Sequence, residues 1–590
     1  MILSSLAGAI GLLAASVTAA PSHIDKRAPT PGCKFDSKTA PECWDGVFNL
    51  NSNYYAEGPK IDPSKPRVYD FKLTNITTMS PDGVPRSVLA INGQIPGPTI
   101  YAEWGETVVV NVENTLDYAG TALHFHGIRQ NNTVGQDGVG SITQCPIPGL
   151  STKNPEGSNK MTYTWVATQY GTSWYHSHYG VQAWDGMFGA IVINGPASAP
   201  YDKDLGALML SDWTHKTSDS LLEDAALFGG GVPINNGLIN GTNVYTSAEG
   251  VTTGKRFEMV FEPGKLHRIR FVNTAMDTMY KIHFDDHEMQ VISSDFVSIK
   301  PFTTNVLPIA IGQRYDVIVN ATRSGSHWFR AVAMEGCGQH DPNLDVRGII
   351  RYDAADTSTP AEKTPEELPE FGTSCHDLPM ASLVPSVPLD LRDVPSNFQL
   401  DHDVTFEMNF DENTSVLDWR IKGVPYYSPW EYPTLQQVLE GNTTYDPRQR
   451  VIQVDNTKEW IYALVRTSPG TTHPIHMHGH DFFILGQSDQ EFDPATFKPQ
   501  TVNPPRRDVA MVVDSGYIVV AFQTDNPGAW LLHCHIGWHA SEGMAVTFLE
   551  HTEKIPGIMG ESGKKQLEET CGRWKTFAEE RGIKQHDSGV

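Results

Sequence analysis

The pattern that most limits what this chain can become lies near its end, at Leu531-Leu532-His533-Cys534-His535-Ile536-Gly537-Trp538-His539, with Met544 following. In an extended strand, neighbouring side chains point to opposite faces. Cys534 can therefore hold a metal on one side while His533 and His535 reach metals on the other. A thiolate with two imidazoles and a weak, distant thioether is a ligand set that suits copper. His539 and Met544 stand where they can complete such a set around Cys534. Taken alone, a zinc knuckle or a buried cysteine with incidental histidines would fit the same residues.

The stretch is one of a series. Tyr170-Gly171-Thr172-Ser173-Trp174-Tyr175-His176-Ser177-His178 resembles Pro527-Gly528-Ala529-Trp530-Leu531-Leu532-His533-Cys534-His535, and each leads to a glycine-containing return strand. A third copy, Ser324-Gly325-Ser326-His327-Trp328-Phe329-Arg330-Ala331-Val332, keeps the turn and the aromatic residue but has no His-x-His. Short β-rich runs dominate elsewhere, as at Thr107–Val112, Ala190–Ile193, Tyr315–Val319 and Tyr517–Phe522, with glycine and proline spread throughout. The expectation is an all-β chain of three β-sandwich units, the middle one stripped of metal ligands, linked at 194–206 and 354–370. Helical patterning is scarce, and its best case is Lys565–Arg581, where Leu567, Cys571, Trp574 and Phe577 share a face.

Two further His-x-His pairs stand at His124-Phe125-His126 and at His476-Met477-His478, the latter preceded by His473. Histidines at i and i+2 of a strand share one face. Four such pairs supply eight imidazoles, enough for three metals, and leave His473 and His539 for the cysteine. Dioxygen takes four electrons to become water, whereas a phenol gives one at a time. Four coppers can accumulate the difference, one collecting and three delivering.

The remaining composition bounds the setting. Met1–Ala20 reads as a signal peptide, though its n-region has no basic side chain, and residues 21–27 read as a propeptide ending at Lys26-Arg27. No other apolar run is long enough to span a bilayer, so a secreted, extracellular protein is expected. Glycan acceptors at Asn75, Asn131, Asn240, Asn320, Asn413 and Asn442 fit that route. Of seven cysteines, six remain for three disulfides if Cys534 binds metal; Cys33 and Cys43 are a natural near pair, and spacing leaves the others open. The net charge of −25, with no basic cluster, argues against nucleic acid or an anionic membrane as partner.

With those residues in view, nearly the whole chain from Cys33 onward resembles the multicopper oxidases, most closely the ascomycete-type fungal laccases. The resemblance rests on His-x-His-Gly, Trp-Tyr-His-Ser-His, His-Pro-x-His-x-His-Gly-His and His-Cys-His-x-x-x-His, and on the final Asp587-Ser588-Gly589-Val590. It implies three consecutive cupredoxin-like Greek-key β-sandwich domains at 28–195, 196–360 and 361–590, the last with a linker, a C-terminal helix and a tail that plugs the channel to the metal cluster. It implies four copper ions. The type 1 ion would take His473, Cys534 and His539, with Met544 axial; the type 2 ion would take His124 and His476. The type 3 pair would take His126, His176 and His535, and His178, His478 and His533. It further implies disulfides Cys33–Cys43, Cys145–Cys571 and Cys337–Cys375. Asp137 would feed protons to the cluster, and Asp277 would accept the proton of a phenolic donor.

Many such fungal enzymes carry an aliphatic or Phe residue where this chain has Met544. The extra thioether predicts a lower type 1 potential than in a Leu-axial relative. Among other residues, His480 reads as a turn residue, His215 and His327 as structural and Met477 as packing. Trp419 and Leu417 read as core, although the resemblance would let them line the donor pocket. The expected partners are small aromatic donors and dioxygen. Other donors (ascorbate, bilirubin or ferrous iron) and a non-catalytic electron carrier are the alternatives, and a carrier would need only the cysteine site.

Overall fold

The computed structural model describes residues 32–590 except 228–231, 342–343, 392–397, 413–415, 469 and 471. The expected signal peptide and propeptide, and the acceptor Asn413, fall outside the described residues. What the rest forms is three β-sandwiches in succession.

In the first sandwich the sheet ordered Arg86–Ile91, Arg67–Met79, Thr107–Asn114 and Lys160–Val166 shares a core with a second sheet. That second sheet is ordered Gly97–Glu103, Phe188–Asn194, Gly171–Ser177 and Leu123–Phe125. Strict alternation builds the first sheet: Val108, Val110 and Val112 are buried while the residues between them are half-exposed. Gly171–Ser177 and Phe188–Asn194 instead lie almost wholly inside, covered on both faces.

The internal repeat is a repeat of topology. In each sandwich an edge strand runs parallel to the return strand, which pairs antiparallel with the turn strand, which pairs antiparallel with a fourth. In the first sandwich these are Gly97–Glu103, Phe188–Asn194, Gly171–Ser177 and Leu123–Phe125. In the second they are Phe257–Val260, Arg347–Arg351, Ser326–Ala333 and Tyr280–Phe284. In the third they are Val451–Gln453, Ala545–Glu550, Gly528–Cys534 and His473–Met477. One apolar cluster runs through the second and third sandwiches, from Leu210 and Phe271 to Trp419, Cys534 and Met544.

The C-terminal helix, Ile555–Arg581, begins a full ten residues before the expected Lys565, with a kink at Gly560. Pro556, Gly557, Gly560 and Gly563 hide its first turns from a periodicity count. Leu567, Trp574 and Phe577 are its buried face. Cys571 on the same helix is bonded to Cys145 of the first sandwich, tying the two ends of the chain together. The other bridges are Cys33–Cys43 and Cys337–Cys375, and Cys534 is free and buried.

Candidate metal centre

Register brings the histidines together before any tertiary contact is needed. His124 lies directly opposite His176 across one antiparallel pair, and His476 directly opposite His533 across another. Each strand then turns immediately after its second histidine at a glycine of positive φ, Gly127 and Gly479. A Cβ on Gly127 would sit 2.5 Å from Asp508 Oδ2, and one on Gly479 would sit 2.4 Å from the Trp530 ring. The glycine of each His-x-His-Gly is therefore demanded by both backbone conformation and space.

The first and third sandwiches meet face to face at these strands. Donor atoms of His126, His176 and His535 lie within 4.8 Å of one another, as do those of His178, His478 and His533, and those of His124, His126 and His476. His478 Nε2 approaches His533 Nε2 at 3.3 Å, and His535 Nε2 approaches His126 Nδ1 at 3.3 Å. Ligand atoms roughly 2 Å from a common ion stand roughly 3–4 Å apart, so these spacings suit coordination.

Hydrogen bonding sorts the two nitrogens of each ring. His124 Nδ1 is held by Asp137 O at 2.7 Å, His476 Nδ1 by Asp508 O at 2.7 Å and His176 Nδ1 by Ser177 O at 2.9 Å. The Nε2 atoms of the same three rings, with Nδ1 of His178 and His535, are buried and have no hydrogen-bond partner. Five orphaned buried nitrogens are unusual in a folded protein and are what a metal would satisfy. Burial, reinforced by neighbouring imidazoles, holds His126, His176, His178, His476, His478 and His535 well below the usual histidine range. Burial brings His533 down to about 4. The rings are neutral at ordinary pH, as metal binding requires.

A second cluster lies across Cys534. Its Sγ is 3.5 Å from His473 Nδ1 and 3.6 Å from His539 Nδ1, and the two nitrogens are 3.2 Å apart. Burial pushes the Cys534 thiol up, so a bound cation is needed to keep it a thiolate. His539 is presented by the short helix Gly537–Ser541. Met544 is fully buried, and its backbone pairs with both Cys534 and His539. Trp419 is core and also lines this site: its ring lies edge-on to His473 at 4.7 Å and 5.0 Å from His539. Leu417 is buried in the same apolar cluster.

Asp137 is buried, its Oδ2 2.8 Å from His478 Nδ1 and its Oδ1 3.3 Å from His124 Nδ1. Asp277 is buried on the loop after Leu266–Asn273, whose Met276 carbonyl accepts from Gly537 N–H. Burial, with Asp212 and Glu542 nearby, pushes the Asp277 carboxyl well above its ordinary range.

Sequence reasoning missed Asp508 and Arg314. Asp508 Oδ1 meets His126 Nε2 at 3.1 Å, and its Oδ2 accepts from Arg314 at 2.6 Å. Arg314 belongs to the middle sandwich, so one carboxylate joins all three. The run Arg506-Arg507-Asp508 is a visible cluster of charge in a β-rich segment, and Arg507 pairs with Asp295 at 3.1 Å.

The histidines set aside behave as structural groups. His480 contacts Glu550 at 3.1 Å, His215 meets Asp82 at 2.9 Å and His327 meets Asp286 at 3.0 Å. Met477 is buried in the core. At the chain end, Ser588 Oγ donates to Ala540 O at 2.7 Å, and buried Val590 shares a small cavity with His176, His178, His533 and His535.

Three linked cupredoxin-like sandwiches, with imidazole trios where the outer two meet and a cysteine site behind them, define a copper oxidase architecture. The chain matches the multicopper oxidase family models at 72–198, 204–355 and 426–554. It is 39% identical over 596 residues to Laccase-2 of Botryotinia fuckeliana, covering 98% of this chain and 97% of that one. It is 40% identical over 591 residues to Laccase-1 of the same fungus, covering 100% and 98%. The crystal structure of the laccase from Botrytis aclada superposes with a TM-score of 0.85 at 36% identity, over 95% of this chain and 100% of that one. The chain belongs to the multicopper oxidase family. It is a copper-binding oxidoreductase.

Proposed function

We propose that this chain is a secreted laccase that oxidises phenols and related aromatic donors one electron at a time and reduces dioxygen to water. We assign it four copper ions: His473, Cys534 and His539 would hold one, with buried Met544 beside them as a weak further donor, His124 and His476 would hold a second, and His126, His176, His535 and His178, His478, His533 would hold the other two. The observation that carries this reading is the position of Cys534. Its sulfur faces His473 and His539, while its two neighbours in the chain belong to two different imidazole trios. Copper, when bound, supplies reversible one-electron storage and the reduction of dioxygen.

The residues do the rest. Cys534 and its flanking histidines join the two centres by covalent bonds, with no gap for solvent. Asp137, within reach of His124 and His478, holds their rings and is the carboxylate from which a proton can enter the cluster region. Asp277, desolvated beside the helix that carries His539, accepts the phenolic proton once it is ionised. Trp419 fixes both imidazoles of the cysteine site by packing against them. Val590 lines the small cavity beside the cluster histidines, and Ser588 anchors the tail by donating to Ala540 O.

The domain boundaries 28–195, 196–360 and 361–590, the signal peptide 1–20 and the propeptide 21–27 belong to the same proposal. So does glycosylation. Asn75, Asn131, Asn320 and Asn442 are exposed, and Asn240 is half-buried with its amide oxygen accepting from Met209 N–H at 2.8 Å. No helix among the described residues is long and apolar enough to cross a membrane.

The test is Cys534→Ser. The variant should retain its fold, lose the intense blue absorption and lose donor oxidation measured as oxygen uptake. Full activity in that variant would sink the assignment.

A further inference from the structure

A cleft of about 640 Å³ opens at the edge of the third sandwich, between its two sheets and well away from the imidazole trios. Its walls come from the start of His402–Asp411, the hairpin turn at Lys422, the segment 443–450 and the edge strand Val451–Gln453. Ile421, Val451 and Val546 give it an apolar floor, and Tyr445 stands beside them. The volume is within the range of small-molecule sites, about 300–1,000 Å³.

Its charges are unevenly paired. All three carboxylates on its wall are already engaged. Asp401 is held by Lys458 and by Tyr462 N–H at 2.8 Å, Asp403 by Arg466 at 2.7 Å and Asp446 by Arg448 at 2.8 Å. The basic groups are not. Among the described residues the Arg450 side chain makes no hydrogen bond or ion pair, and its Nε is buried without a partner. Glu407, the carboxylate whose charge reaches Arg450, is engaged by Gly423 N–H at 3.2 Å. Lys422, exposed at the turn, forms no ion pair among the described residues, and His402 Nε2 is buried and unpartnered. In a chain of net charge −25, the local excess is positive.

We propose that this cleft binds the carboxylate of a small aromatic acid, with Arg450 as its main partner. A guanidinium receives a carboxylate through two parallel hydrogen bonds. Lys422 adds a second positive charge at the mouth. The ring then lies against Ile421, Val451 and Val546. A neutral aromatic of the same size gains only the apolar floor, and a cationic one is repelled by Arg450 and Lys422.

Isothermal titration of benzoate into the intact, copper-loaded protein at low ionic strength tests this. Benzoate has no phenolic hydroxyl to oxidise, so binding is read without turnover. Saturable binding at one site is expected, with a dissociation constant of about 1 mM. Arg450→Gln should weaken it about tenfold, the loss of one charge-assisted contact. Lys422→Gln, at an exposed turn that tolerates change, should weaken it about threefold by the loss of a screened charge. Benzyl alcohol should not bind measurably. A benzoate held elsewhere, including at the copper cluster, would keep its affinity in both variants. That outcome, or no saturable binding to the unaltered protein up to about 10 mM, overturns the proposal. If Arg450→Gln does not fold, an unchanged affinity in Lys422→Gln overturns it and a weakened one supports it.

Discussion

The middle sandwich and its two neighbours share one strand plan, and three of the four histidine positions carry different chemistry in the middle one. His124 faces His176 in the first unit and His476 faces His533 in the third; in the middle unit His283 faces Arg330. Two residues on, where the outer units have His126 and His478, the middle unit has Asp285. Arg330 and Asp285 make a two-pronged ion pair at 2.7 and 2.9 Å. The middle copy thus fills its metal position with its own opposite charges. It has also turned outward to serve the others. Arg314 clamps Asp508 against His126, Asp277 stands beside the helix of His539, and Gly312 leaves room for the His126 and His535 rings, which a Cβ there would meet at 3.2 Å. A unit without a His-x-His pair can still decide how its neighbours' histidines are held.

If that is right, the largest effect comes from cutting the bond between the units. Asp508→Asn leaves Arg314 buried with its remaining carboxylate, Asp295, at 3.6 Å. We expect a loss of about 3 kcal/mol in chemical denaturation. Activity should fall about 100-fold, because the orienting partner of His126, a proposed metal ligand, is gone. A variant with normal copper content and turnover would show that the middle unit is a spacer.

Asp277→Asn is the next test. A carboxylic acid accepts a proton only when ionised, so kcat/KM for a phenol should rise with pH as the elevated Asp277 pKa is crossed. The variant should lose that limb and about 100-fold in kcat/KM for phenols. A donor that releases no proton, such as ferrocyanide, should be unaffected. Equal loss with both donors would reassign Asp277 to a structural role.

How much of this was legible in the chain follows from where the information sits. The His-x-His pairs and the strand–turn–strand repeat are local patterns, so spacing alone exposes them. The partnership of Asp508 with Arg314 joins residues 194 positions apart, with nothing periodic between them. His283 and Asp285 make a His-x-Asp pair and not a His-x-His, and such a pair answered by an arginine has no metal signature in the sequence. Asp277 and Asp137 were found by resemblance, since an aspartate in a turn is ordinarily a solvated group.

A smaller effect concerns the tail that lies against the third unit's His539 helix. Burial raises the Asp587 carboxyl to about 7, against 3.8 for the free group. The docked state then binds the proton more tightly than the undocked one. Docking is therefore strongest below the free value, weakens as pH rises through the window from about 4 to about 7, and changes no further above it. Hydrogen exchange at Ser588 N–H, which donates to Ser541 O at 2.9 Å, should accelerate across that window beyond its intrinsic pH dependence. Asp587→Asn should abolish the excess.

The smallest expected effect is also the sharpest test of the comparison. The triple change Asp285→His, Arg330→His and Val332→His writes two His-x-His pairs into the middle unit, on the strands that carry them in its neighbours. Removing both partners of the Arg330–Asp285 pair together leaves no uncompensated charge, so stability should change by only about 1 kcal/mol. Copper content after dialysis should not change either. In the outer units the imidazole trios draw rings from two sandwiches, His126 and His176 meeting His535, and His178 meeting His478 and His533. Rebuilt pairs in the middle unit would all lie on one sheet, whereas each of those trios needs a ring from a second sandwich. If the variant retained an additional ion, metal binding would be a property of the single strand plan, and the interface between units would lose its claim to be what makes the site.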